Sequence, residues 1–71
     1  MKDETNFKKG IGKQIADLRA AAGLTQMDLA VKLDIHPNNV SYWERGLNLP
    51  NARFLEKICE LFCVDLSFIK K

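Results

Sequence analysis

Thr25-Gln26-Met27-Asp28-Leu29-Ala30-Val31-Lys32-Leu33-Asp34-Ile35-His36-Pro37-Asn38-Asn39-Val40-Ser41-Tyr42-Trp43-Glu44-Arg45-Gly46 carries two helix beginnings and two helix ends in one short run. The first beginning is Thr25-Gln26-Met27-Asp28. A Thr hydroxyl there accepts from a first-turn N–H while the acidic residue three positions on reaches back, the arrangement of a capping box. Leu24 and Leu29 flank it as a hydrophobic staple. The helix so started is expected over 26–33, with Leu29, Ala30 and Leu33 inward, and Asp34-Ile35-His36 makes the turn. Pro37 suits the first position of a second helix, since its fixed φ is already helical and its missing N–H would have had no partner there. His36 then falls at the cap, with Ile35 and Val40 as a second staple. Val40 and Trp43 give this helix, 37–45, its inner side, which leaves Asn38, Asn39, Ser41, Tyr42 and Arg45 to other faces. Gly46 stops it.

Working outward, Phe7, Ile11, Ile15, Leu18 and Ala22 recur at steps of three and four, which predicts an amphipathic helix over 7–22 ended by Gly23. Gly12 inside it is expected to weaken it by roughly 1 kcal/mol relative to Ala. After a linker over 47–51, a helix over 52–62 presents Leu55, Ile58, Cys59 and Phe62 as its core stripe, with Phe54 and Leu61 on a neighbouring face. Asp65 can cap a last short helix over 66–70 containing Leu66, Phe68 and Ile69, and Lys70 and Lys71 match the negative end of its dipole. With no strand alternation and no repeat, the expected fold is all-α: a compact five-helix bundle over 7–70 as a single domain, with 1–6 as a flexible N-terminal arm.

Seventy-one residues leave no room for a second module, and a chain of that length buries only about 60% of its unfolded surface. Hydrophobic residues at 46% and charged residues at 28% are the balance of a folded soluble domain. The net charge of +2, from eleven Lys/Arg against nine Asp/Glu, argues weakly for a polyanionic partner. Its distribution says more: Lys2, Lys8, Lys9, Lys13 and Arg19 crowd the first quarter, while Glu56, Glu60 and Asp65 come late. Neither a signal peptide nor a membrane span is evident, so a cytoplasmic protein is expected. Cys59 and Cys63 share a helical face with core residues and read as small core hydrophobes; a zinc site needs about four ligands, and His36 is the only histidine. A lone histidine with no positioned nucleophile also lacks the second member that a catalytic mechanism needs. Neither an enzyme, a metal site, a cofactor nor a small-molecule effector is expected.

Two short capped helices joined by a tight turn are what a helix-turn-helix unit requires, its second helix held rigidly enough to enter a major groove. Physical reading alone leaves the polar second helix as either such a reader or a solvated surface. Ile15-Ala16-Asp17-Leu18-Arg19, then Gly23-Leu24-Thr25-Gln26-Met27-Asp28-Leu29-Ala30, then Val40-Ser41-Tyr42-Trp43-Glu44-Arg45-Gly46 resembles the xenobiotic-response-element family of lambdoid phage repressors and Cro proteins. The likeness continues through Pro50, Arg53-Phe54-Leu55, Ile58, Phe62, Val64 and Ile69, and so covers about residues 7 to 70.

That resemblance implies a lambda-repressor-like DNA-binding domain with its helix-turn-helix in the second and third helices. It implies that Thr25 and Gln26 grip a phosphate with the help of a helix N-terminus, and that Arg45, Asn48 and Arg53 add backbone contacts. It assigns base reading to Asn38, Ser41 and Tyr42, bordered by Pro37 and Asn39; Asn can pair in bidentate fashion with adenine. Arg19 and Glu44 match a structural ion pair tying the first helix to the third. Three positions depart from the family's pattern. Asp34 stands where Gly is usual, Pro37 replaces a polar reader, and Leu47-Asn48-Leu49 replaces a loop that often carries Lys or Arg.

A bundle this small cannot bury all of Leu47, Leu49, Phe54, Leu66 and Phe68, and the surplus suggests a dimer surface. The leading expectation is a transcriptional regulator, a repressor, that binds an inverted repeat in double-stranded DNA as a homodimer. The alternative is a protein-interaction module, such as an antitoxin that masks a partner protein and autoregulates.

Overall fold

The computed structural model describes residues 4–65. Four helices occupy them: α1 (Glu4–Ala21), α2 (Gln26–Leu33), α3 (Pro37–Glu44) and α4 (Ala52–Phe62). The predicted fifth helix over 66–70, with Leu66 and Phe68, lies outside the described residues, as does the start of the predicted arm. Helix α1 begins at Glu4 and not at Phe7, so residues 4–6 belong to the helix and not to an arm. Apolar periodicity marks a helix only where apolar residues recur, and 4–6 supply none.

Each of the other three helices starts on a side-chain cap. Thr25 Oγ1 accepts from the Asp28 N–H at 2.9 Å while Asp28 Oδ2 accepts from the Thr25 N–H at 2.9 Å, closing the capping box. The Thr25 N–H donating to it, and after that the neighbouring Thr25 hydroxyl, hold the Asp28 carboxyl below its ordinary pKa. The box therefore contributes fully above the usual carboxylate range and is lost as pH falls through that depressed value. His36 caps α3 through Nδ1, which accepts from the Asn38 N–H at 3.1 Å, an acceptor that exists only while that nitrogen carries no proton. Asn51 caps α4 by accepting from the Phe54 N–H at 3.0 Å.

All four helices end the same way. An N–H two or three residues past the helix end reaches back to a carbonyl five residues earlier: Leu24 to Arg19, Ile35 to Ala30, Leu47 to Tyr42 and Val64 to Cys59, at 2.9–3.0 Å. This Schellman closure needs a left-handed residue. Gly23 and Gly46 supply it in two cases, Asp34 (φ 61°) and Cys63 (φ 58°) in the others. Cys63 is thus an exposed cap and not the core residue its spacing suggested, while Cys59 is buried.

Asp34 has two disadvantages: a left-handed backbone costs a residue with a Cβ, and its carboxylate sits at the negative end of the α2 dipole. Asp34→Gly is expected to stabilise the protein by about 0.5–1 kcal/mol, net of the greater freedom of Gly in the unfolded chain. That should raise the melting temperature by a few degrees. An unchanged or lower value would show that the Asp34 side chain stabilises the turn.

The core consists of Ile11 and Ile15 from α1, Leu29, Ala30 and Leu33 from α2, Val40 and Trp43 from α3, and Ile58 from α4, with Ile35, Phe54 and Phe62 packed against it. Helix α3 is the hub, in contact with both α1 and α2, and α4 packs on α2. Phe7 and Ala22, read as core from their spacing, are exposed, and Leu18 and Leu55 are half-buried. The stripe on α1 has its deep part only where α3 crosses it.

The crossing explains Gly12, which the sequence reading treats as a weakness. A Cβ on Gly12 would lie 2.1 Å from the Trp43 carbonyl oxygen and 3.0 Å from that of Glu44. The backbones of α1 and α3 meet there, and only hydrogen fits between them.

Candidate nucleic-acid interface

Helix α3 has two sides of opposite character. Val40 and Trp43 enter the core at 0% and 5% exposure. On the other side Asn38, Ser41, Tyr42 and Arg45 follow one another at i, i+3, i+4 and i+7, the spacing of a single helical stripe. Asn38, Tyr42 and Arg45 are exposed and Ser41 is half-buried, with half-buried Pro37 and exposed Asn39 on either flank. The Arg45 guanidinium lies over the Tyr42 ring, 5.6 Å from its centroid, a cation–π contact that restrains a long side chain. The stripe thus offers amide, hydroxyl, phenol and guanidinium groups in a row, all able to hydrogen-bond to base edges or phosphates.

What makes this helix a fixed platform is the charge network beneath its last turn. Glu44 takes a bidentate grip from Arg19: Nε donates to Oε2 at 2.6 Å and Nη2 to Oε1 at 3.0 Å. Arg19 Nη1 also donates to the Leu24 carbonyl at 2.8 Å. The hydrogen bonds to Glu44, with its charge, raise the Arg19 pKa above its ordinary value against the opposing effect of burial. The Glu44 side chain is 8% exposed and that of Arg19 19%, so the pair is shielded from water as the exposed Lys13–Asp17 pair, 3.4 Å apart, is not.

Gln26, which the family resemblance assigns to a phosphate, has its carboxamide within this network: Nε2 donates to Glu44 Oε1 at 2.9 Å. No pattern of residue types signalled that bond. Thr25 is exposed, but its N–H and the acceptor face of its hydroxyl are spent on the capping box. The start of α2 therefore offers the N–H groups of Gln26 and Met27 and the second Nε2 hydrogen of Gln26. Asn48, in the linker, and Arg53, in the first turn of α4, are both exposed.

The expected dimer residues separate. Leu47 and Leu49 are exposed at 56% and 38%. Phe54 is drawn into the core instead, its ring tilted 46° against Trp43 with 5.9 Å between centroids. Burial and the charges of Asp65 and Glu56 push the Cys59 thiol up, away from the thiolate form a metal or an electrophile would want. Among the described residues, no group of three or more His, Cys, Asp and Glu side chains comes together, and no helix is long and apolar enough to cross a membrane.

A family model described as a helix-turn-helix domain matches residues 11–67. The chain belongs to the helix-turn-helix family. Within it, the likeness to the xenobiotic-response-element and Cro-like proteins extends to a curated relative, the HTH-type transcriptional regulator ImmR of Bacillus subtilis (strain 168), 36% identical over 59 residues. That alignment takes in 83% of this chain and 46% of ImmR. Multiprotein-bridging factor 1 of Debaryomyces hansenii is 40% identical over 48 residues, 68% of this chain and 32% of that protein. The helix-turn-helix chain thus spans about half the length of the first relative and a third of the second. Among solved structures, the clp gene regulator ClgR from Corynebacterium glutamicum superposes with a TM-score of 0.80 at 22% identity, over 89% of this chain and 67% of that one. That likeness concerns the fold alone.

Proposed function

We propose that the chain is a sequence-specific double-stranded-DNA-binding transcriptional regulator, acting as a repressor, whose α3 enters the major groove. The observation that carries this reading is the stripe Asn38, Ser41, Tyr42 and Arg45 on a helix anchored from below by Trp43 and Glu44. A solvated helix needs no such mounting, whereas base readout depends on side chains held in register with the groove. The similarity to a transcriptional regulator supports the same reading.

In this reading Asn38, Ser41 and Tyr42 meet base edges, with Pro37 and Asn39 at the border, and Thr25, Gln26, Arg45, Asn48 and Arg53 meet the backbone. The chain acts as a homodimer through Leu47 and Leu49, because one helix touches few base pairs and two-fold pairing extends readout across an inverted repeat. Half-sites then lie about 34 Å apart.

The two classes of contact are separable. On a duplex carrying the preferred site, Asn38→Ala is expected to cost about 1–3 kcal/mol and to relax the preference at one base position. Arg45→Ala should instead weaken binding to all duplexes alike and reduce the salt slope by about 1. Titrations across a salt series check both. Equal losses on preferred and scrambled duplexes for Asn38→Ala would remove it from the base readers.

A second reading has its own support in the likeness to a protein named a multiprotein-bridging factor, together with the exposed Leu47 and Leu49. Here the domain is a protein-interaction module, of which an antitoxin is one form, and the apolar linker receives the partner. Leu47→Ser with Leu49→Ser separates the two: a change in self-association favours the homodimer, and a change only in capture of another protein favours the module.

A further inference from the structure

We propose that Glu44 is a positioning residue for DNA binding: it holds the Gln26 carboxamide at the start of α2 so that its second Nε2 hydrogen is presented to a phosphate. This rests on the DNA-binding reading above and adds to it a link between the helix that reads bases and the helix that grips the backbone.

Three features of the geometry support it. Glu44 Oε1 accepts from both Arg19 Nη2, at 3.0 Å, and Gln26 Nε2, at 2.9 Å, so one oxygen joins the end of α1, the start of α2 and the end of α3. A carboxamide nitrogen carries two hydrogens. Glu44 uses one, and Gln26 is only half-buried, which leaves the other hydrogen available to a second acceptor at the start of α2. Arg19 cancels the charge of Glu44 through two short hydrogen bonds, so the anchor presents no net negative charge to an approaching phosphate. Without the anchor, a glutamine side chain would have to be ordered by the DNA itself, and that ordering weakens binding.

The test uses two double variants, Arg19→Met with Glu44→Gln and Arg19→Met with Glu44→Met. Both remove the ion pair and both charges; only the first keeps an oxygen that can accept from Gln26. Binding is read on a short duplex of mixed sequence at low salt, because a phosphate contact carries no sequence information. The double variant with Glu44→Met is expected to bind about tenfold more weakly than the one with Glu44→Gln, and the difference should vanish when Gln26→Ala is added to both. Equal binding by the two double variants, with the wild type binding well, would overturn the proposal alone. A wild type that binds no duplex would overturn the DNA reading and the proposal with it. If the double variants do not fold, the wild-type side-chain amides decide. Slower hydrogen exchange at Gln26 than at exposed Gln14, with one Gln26 amide proton shifting when the duplex is added, supports the proposal. Exchange as fast as that of Gln14 overturns it.

Discussion

Gly12→Ala is expected to lower the stability of this protein by about 3 kcal/mol, although the same replacement on a solvent-facing helix raises stability by about 1 kcal/mol. The new methyl carbon would stand 2.1 Å from the Trp43 carbonyl oxygen, well inside van der Waals contact, and what it meets is backbone. A side chain can rotate away; a carbonyl in the last turn of α3 moves only if α1 or α3 moves. Either shift opens the contact of Ile11 and Ile15 with Val40 and Trp43, all of them buried. A small domain has a total stability of only about 5–15 kcal/mol, so Gly12→Ala should lower the melting temperature by about ten degrees or more. Thermal unfolding followed by Trp43 fluorescence measures it, and a melting temperature at or above that of the wild type would mean that the two helices do not meet as described.

The second large effect is expected for Glu44→Ala, at about 3 kcal/mol. Removing the carboxylate strands a guanidinium 19% exposed in its side chain, together with a Gln26 amide that has lost its acceptor. Asp17→Ala, which breaks the exposed Lys13–Asp17 pair, should change stability by less than about 0.5 kcal/mol. The contrast is what identifies burial and bidentate geometry as the cause. Denaturant melts of the two variants side by side check it: equal, small losses would place Glu44 among ordinary surface charges.

Much of the fold was legible because its punctuation is local. Thr25, Pro37, Gly23 and Gly46 mark helix starts and stops by backbone chemistry that needs no tertiary partner, and α2 runs over 26–33 as its caps indicate. The errors lie where a residue's role depends on something distant in sequence. Gly12 reads as a weak point until α3 is laid across it. Phe7 and Ala22 fit the apolar stripe of α1, but that helix is longer than the core it covers. Phe54 looked like surplus surface because nothing in its own helix reveals that Trp43 faces it. Cys63 continued the spacing of Cys59 while taking the left-handed position that ends α4.

The candidate site divides in the same way. The stripe on α3 follows from spacing once Val40 and Trp43 are known to face inward. The bond from Gln26 to Glu44 spans eighteen positions and joins two polar residues that periodicity cannot pair. What such side chains do is decided by tertiary geometry, and local sequence contains little of it.

The most direct test of DNA reading by α3 is selection of duplexes from a random-sequence library by the purified protein, followed by sequencing of those retained. The expected result is an enriched inverted repeat with half-sites about 34 Å apart, lost with Asn38→Ala and Tyr42→Ala in protein that melts as the wild type does. Folded wild-type protein that enriches no sequence above background would contradict it.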